Sequence, residues 1–149
     1  MHVLIIEDSA FNAFCLTRLM QAACPQIQVI TINNSVGVLS FLEKNRPSLI
    51  ILDGDLRPND ELNCNGPALA DAIWSNHSNQ LPIIAWTDSE SMRLAFAEVF
   101  KQHKKPFNDY HYWTKVVSQK RILQTIAYLI GNDSLQYLPK NDEAEALYA

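Results

Sequence analysis

The chain has 149 residues, of which 48% are hydrophobic and 19% charged, and its formal net charge is −4. That length suits one domain around one core. The acidic balance argues against a dominant nucleic-acid-binding surface, and His103, Lys104 and Lys105 form the one basic cluster. No apolar run reaches the ~18 residues of a membrane span, and Met1–Ile6 lacks the basic start and long apolar core of a signal peptide. Cys15, Cys24 and Cys64 are odd in number and lack metal-type spacing, so buried, reduced thiols in a cytoplasmic protein are expected.

His2–Ile6 (HVLII) reads as a buried strand. Ser9 can cap the following helix, in which Leu16, Leu19, Met20 and Ala23 share a face before Cys24-Pro25 stops it. Gln28–Ile32 alternates and is rich in β-branched residues, a second strand. Ser35 is expected to cap a short helix carrying Val38, Leu39 and Leu42, which ends before Pro47. Leu49–Leu52 (LIIL) is apolar throughout, as a strand covered on both faces would be.

Arg57–Asn65 reads as a polar loop, after which Gly66-Pro67 starts a helix to about Ser75. Leu81–Trp86 (LPIIAW) is a fourth strand. Asp88 or Ser89 caps a helix to about Lys101, with Met92, Ala95, Phe96 and Val99 on one face. Tyr110–Thr114 is the fifth strand, and Ser118–Ile130 the last helix, with Ile122, Ile126, Leu129 and Ile130 inward and Gly131 as its stop.

The alternation predicts an α/β protein, a (βα)₅ doubly wound parallel sheet with helices on both faces. Five strands fit the flavodoxin-like order 2-1-3-4-5, which is carried over from that class of fold and not fixed by the periodicity. Residues 1–131 form the domain, and 132–149 a polar, acidic C-terminal tail with Leu135, Tyr137 and Leu138 as scattered apolar points.

Ligands of open parallel sheets bind beyond the C-terminal strand ends. There the sequence places Glu7 and Asp8 after the first strand, Asp53 and Asp55 after the third, Thr87 after the fourth and Lys115 after the fifth. Two carboxylates about 4 Å apart repel by about 4 kcal/mol at an effective dielectric of about 20, so such a cluster needs a cation or a proton. Mg²⁺, a hard ion that takes oxygen ligands and keeps several waters, suits it.

Taken together, Glu7-Asp8 after HVLII, Asp53 after LIIL, Thr87 after LPIIAW and Lys115 after YHYWT resemble the response-regulator receiver family of two-component signalling, of the single-domain chemotaxis-regulator type. The resemblance spans about residues 2–130 and implies that Asp53 accepts a phosphoryl group from a sensor histidine kinase or a histidine phosphotransfer protein, as in a phosphorelay. It implies Mg²⁺ held by Asp8, Asp53 and the backbone carbonyl of Asp55, with Glu7 acting through water. Lys115 would pair with the phosphoryl oxygens, Thr87 would turn towards them, and Tyr112 would move inward as the switch aromatic. The fourth helix, fifth strand and fifth helix would form the responsive face, a surface for a downstream protein target or a homodimer.

Four features depart from the family pattern: a longer loop at Arg57–Cys64, Asn65-Gly66 in place of Asp-Gly, a long basic stretch between the fourth helix and the fifth strand (Lys101, Lys104, Lys105), and Val116 in place of proline after the lysine, which predicts a trans peptide there. The reading is of a signalling protein and not an enzyme acting on other substrates. A phosphorylation-independent pseudo-receiver used for binding or dimerisation is the alternative. A flavodoxin-like or phosphatase-type enzyme ranks last, since EDSAFNAF offers neither a phosphate-binding glycine-rich loop nor a catalytic cysteine loop. Taken singly, the same residues read as a helix cap (Asp8), loop acids (Asp53, Asp55), a turn residue (Thr87), a solvated lysine (Lys115) and strand packing (Tyr112). Trp86 and Trp113 are expected in the core or at its rim, and His77, His103 and His111 as surface or satisfied polar residues.

Overall fold

A computed structural model describes residues 1–56 and 65–131. Five strands, β1 (His2–Ile6), β2 (Gln28–Ile32), β3 (Leu49–Asp53), β4 (Ile83–Trp86) and β5 (Tyr112–Trp113), alternate with five helices. These are α1 (Ala10–Ala23), α2 (Ser35–Leu42), α3 (Gly66–Asn76), α4 (Glu90–Gln102) and α5 (Gln119–Ile130). All neighbouring strands run parallel, in the order β2-β1-β3-β4-β5. No described helix is long and apolar enough to cross a membrane.

The apolar runs explain the layering. All five residues of β3 are buried because a side chain on either face of a central strand meets a helix layer. On one face, Val3, Ile5, Ile51, Ile84, Trp86 and Trp113 pack with Leu16 and Met20 of α1 and Ile122 and Ile126 of α5. On the other, Leu4, Ile6, Ile50, Leu52 and Ala85 pack with Val38 of α2, Leu69 and Ile73 of α3, and Phe96 and Phe100 of α4.

Several boundaries differ from expectation. Asn34, not Ser35, caps α2: its Oδ1 accepts the Gly37 N–H at 2.7 Å, and Ser35 is the first helical residue. Of the two expected caps of α4, Ser89 is the one that forms. Leu81-Pro82 stands outside β4. The Leu81 carbonyl accepts the Trp74 indole N–H at 2.9 Å, and proline has no N–H for the ladder. Strand β5 shrinks to two residues because Tyr110 and His111 belong to a turn, in which the His111 N–H donates to the Asn108 carbonyl at 2.9 Å and the Asn108 N–H to His111 Nδ1 at 3.2 Å, and because Thr114 lies past its end, its Oγ1 donating to the Val116 carbonyl at 2.8 Å. Cys24 is buried as expected, but Cys15 is exposed, because it lies a helical step off the inward face of Leu16 and Met20. His111 is buried among rings, and His103 Nε2 lies 2.7 Å from Asp71 Oδ1. The expected loop residues 57–64, Cys64 among them, and the 132–149 tail lie outside the described residues.

Candidate phosphoacceptor site

The register brings the predicted residues to one edge. Ile6 pairs with Leu52, and Asp53 pairs with Trp86, so Glu7, Asp53 and Thr87 all stand at the C-terminal rim of the sheet. Carboxylate oxygens of Glu7, Asp8 and Asp53 lie within 4.8 Å of one another. Glu7 and Asp53 are each only 3% exposed. Strand pairing dictates this depth: the Glu7 N–H donates to the Ile32 carbonyl at 3.1 Å, and Asp53 is itself the last residue of β3.

Lys115 reaches in from the segment after β5. Its Nζ lies 2.8 Å from Asp53 Oδ1 and also pairs with Glu7 Oε2. Burial raises the Glu7 carboxyl above its ordinary range, and the Asp53 charge adds to this. The Lys115 ammonium and the Ser9 N–H, which donates to Glu7 Oε1 at 3.1 Å, pull the other way. Thr87 is buried, and its Oγ1 accepts the Ser89 N–H at 3.1 Å. A hydroxyl that accepts one bond still has a proton to donate. Tyr112 is half-buried on β5, its ring centroid 6.4 Å from that of Phe107. Asp55 is exposed, and its carboxylate is not among the three clustered ones. An open cleft of about 550 Å³ adjoins Glu7 and Asp8 between α1 and β2.

Three carboxylates and one ammonium carry a formal charge of −2. A small divalent cation with oxygen ligands would neutralise it, and the donor set is of the kind Mg²⁺ takes. The Lys115–Val116 peptide is trans, since no described peptide bond is cis.

Solved structures share this arrangement of elements. A receiver domain of a modulated diguanylate cyclase from Desulfovibrio desulfuricans matches with a TM-score of 0.68 and 22% identity, covering 87% of this chain and 92% of that one. A chemotaxis response regulator of Vibrio cholerae matches with a TM-score of 0.67 and 18% identity, over 86% and 97%. A CheY-like receiver protein from Methanospirillum hungatei gives 0.68 and 16%, over 85% and 90%. The chain has the receiver fold. No protein-family model and no curated protein matches the sequence.

Within the receiver fold, two residues near the site carry contacts that sequence reasoning did not assign. The Trp86 ring lies under the Lys115 ammonium, 3.9 Å from Nζ to the ring centroid, and Asp88 Oδ1 accepts the Lys115 N–H at 2.8 Å. Asp88 carries a signal at the level of residue type, since an aspartate beside a strand end often binds backbone, but its partner is 27 residues away.

Proposed function

We propose that the chain is a cytoplasmic signalling receiver that accepts a phosphoryl group on Asp53 from a sensor histidine kinase or a histidine phosphotransfer protein. The observation that carries this reading is the placement of the Lys115 ammonium on Asp53 and Glu7 while the Asp8 carboxylate completes an acidic cluster.

An Asp53 oxygen bonds to phosphorus as the donor's P–N bond breaks, giving an aspartyl phosphate. Glu7, Asp8 and Asp53, with the Asp55 backbone carbonyl, would hold Mg²⁺, which supplies positive charge against the oxygens of the transferring group. Lys115 supplies a second positive charge to the same oxygens. The burial of Asp53 limits water around it, so these charges act in a medium of low dielectric. Thr87 donates its hydroxyl proton to a phosphoryl oxygen, and Tyr112 follows into the space this leaves. The α4–β5–α5 face then shifts between two populations and engages a protein target or a second copy of the chain.

Acetyl phosphate with Mg²⁺ tests the reading by intact mass. The native chain is expected to gain one phosphoryl group and Asp53→Asn none. Beryllofluoride should shift the amide resonances of Thr87 and Tyr112. No mass gain together with unchanged spectra would favour the alternative, a binding module that works without phosphorylation.

A further inference from the structure

We infer that Trp86 is a positioning residue for Lys115, holding the ammonium at the phosphoacceptor by a cation–π contact and the backbone behind it by a hydrogen bond. The inference deepens the phosphoacceptor reading and rests on it for its kinetic arm.

Lys115 lies just after β5, in a stretch without regular secondary structure. Packing anchors the flanks, Trp113 and Val117, but not the turn between them, where Val116 is 90% exposed. Side chains fix it instead. The Asp88 carboxylate takes its N–H, and the Trp86 Nε1–H donates to its carbonyl at 3.3 Å. Thr114 Oγ1 donates to the Val116 carbonyl at 2.8 Å and closes the turn. The same Trp86 indole then lies beneath the ammonium at 3.9 Å, well inside the ~6 Å range of a cation–π contact. One buried side chain thus grips both ends of the lysine.

This grip matters because a lysine stem is flexible and loses about 2 kcal/mol of rotamer entropy when fixed. Glu7 and Asp53 draw the ammonium inward, but their pull weakens once a divalent cation shares their oxygens. The indole face carries no net charge and keeps its attraction in either state. Trp86 is itself 2% exposed and paired in register with both Asp53 and Trp113, so the seat is as rigid as the sheet.

Core packing alone would also bury this tryptophan, and graded fluorination separates the two roles. Fluorine withdraws charge from the ring face with little change of shape. Mono-, di- and trifluorotryptophan placed at position 86 should slow phosphorylation by acetyl phosphate and Mg²⁺ in steps, reaching about tenfold for the trifluoro ring. That corresponds to about 1.4 kcal/mol. The Lys115 ε-methylene protons should resonate upfield of those of the other lysines, and return towards them in Trp86→Leu. A flat rate series overturns the positioning role, and so does an ε-methylene shift like that of a solvated lysine. If the unsubstituted protein takes up no phosphoryl group, the phosphoacceptor reading fails. The seat itself is then decided by the ε-methylene shift alone, upheld when upfield and overturned when not.

Discussion

Replacing Gly66 with alanine sets two effects of opposite sign against each other. Gly66 opens α3, and its N–H donates to the Gly54 carbonyl at 2.9 Å. Its φ is not in the left-handed region, so helix propensity alone favours alanine by about 1 kcal/mol. Sterics oppose it. A Cβ would stand 2.2 Å from the Asp53 carbonyl oxygen, 2.8 Å from Gly54 Cα and 2.8 Å from Phe96 Cζ. Two of those three atoms are backbone and cannot rotate away. Overpacking costs about 1–3 kcal/mol, and a backbone clash belongs at the upper end, which leaves a net loss of about 2 kcal/mol. With a urea m-value of about 2 kcal/mol per M, the unfolding midpoint should fall by about 1 M. Gly37→Ala is the control, since its Cβ would meet only side-chain atoms, the nearest Ile32 Cγ2 at 3.0 Å. The same propensity gain of about 1 kcal/mol works against that contact, so its midpoint should lie between about 0.25 M below and about 0.5 M above the native value. Because the Asp53 carbonyl must move, phosphorylation by acetyl phosphate should slow in Gly66→Ala and not in Gly37→Ala. A Gly66→Ala midpoint at or above the native value would refute the steric argument.

Burial holds the His111 imidazole below its ordinary pKa of 6.5, so the folded state favours the neutral ring whose Nδ1 accepts the Asn108 N–H. As pH falls, the unfolded chain takes up this proton first. The His111 contribution is therefore complete above 6.5 and is lost as pH drops from there through the folded value. Urea midpoints of the native chain and His111→Phe at about pH 7.5 and about pH 5 should show the native chain losing more stability on acidification; parallel losses would contradict the assignment. Mg²⁺ at about 100 times its dissociation constant should stabilise the fold by about 2.7 kcal/mol. Melting in Mg²⁺ and in EDTA measures this, and Asp8→Asn should shrink the difference. Equal melting temperatures for the native chain in the two buffers would count against a metal site.

Strands β1 and β3 were legible because their apolar runs have one reading. HVLII and LIIL are too short for helices and too apolar for loops, and register then carried Glu7 and Asp53 to a common edge. The last strand was less legible. YHYWT has the composition of a five-residue strand, but the His111 and Asn108 side chains bond to nearby backbone and draw its first half into a turn. Asn34 and Ser35 are both good caps, and only the Gly37 N–H decided between them. Trp86 was foreseen in the core, as most strand tryptophans are. Its seat under Lys115 depends on a contact across 29 residues that neither periodicity nor motif encodes. Phe100, buried at the centre of an edge-to-face group with Trp74 and Phe107, was missed because it adjoins Val99 at the border of the expected face of α4.

Asp53 is a member of β3 itself and not of the loop that follows. Its backbone is paired in register with Trp86 of β4, so its amide should exchange more slowly than that of the exposed Asp55 in native-state hydrogen exchange. The proposed nucleophile is therefore fixed by the central ladder, whereas Lys115 reaches it from a segment that lies outside the sheet. Drift at the periphery leaves this ladder in place, but any change that loosens it reaches the Asp53 carboxylate at once.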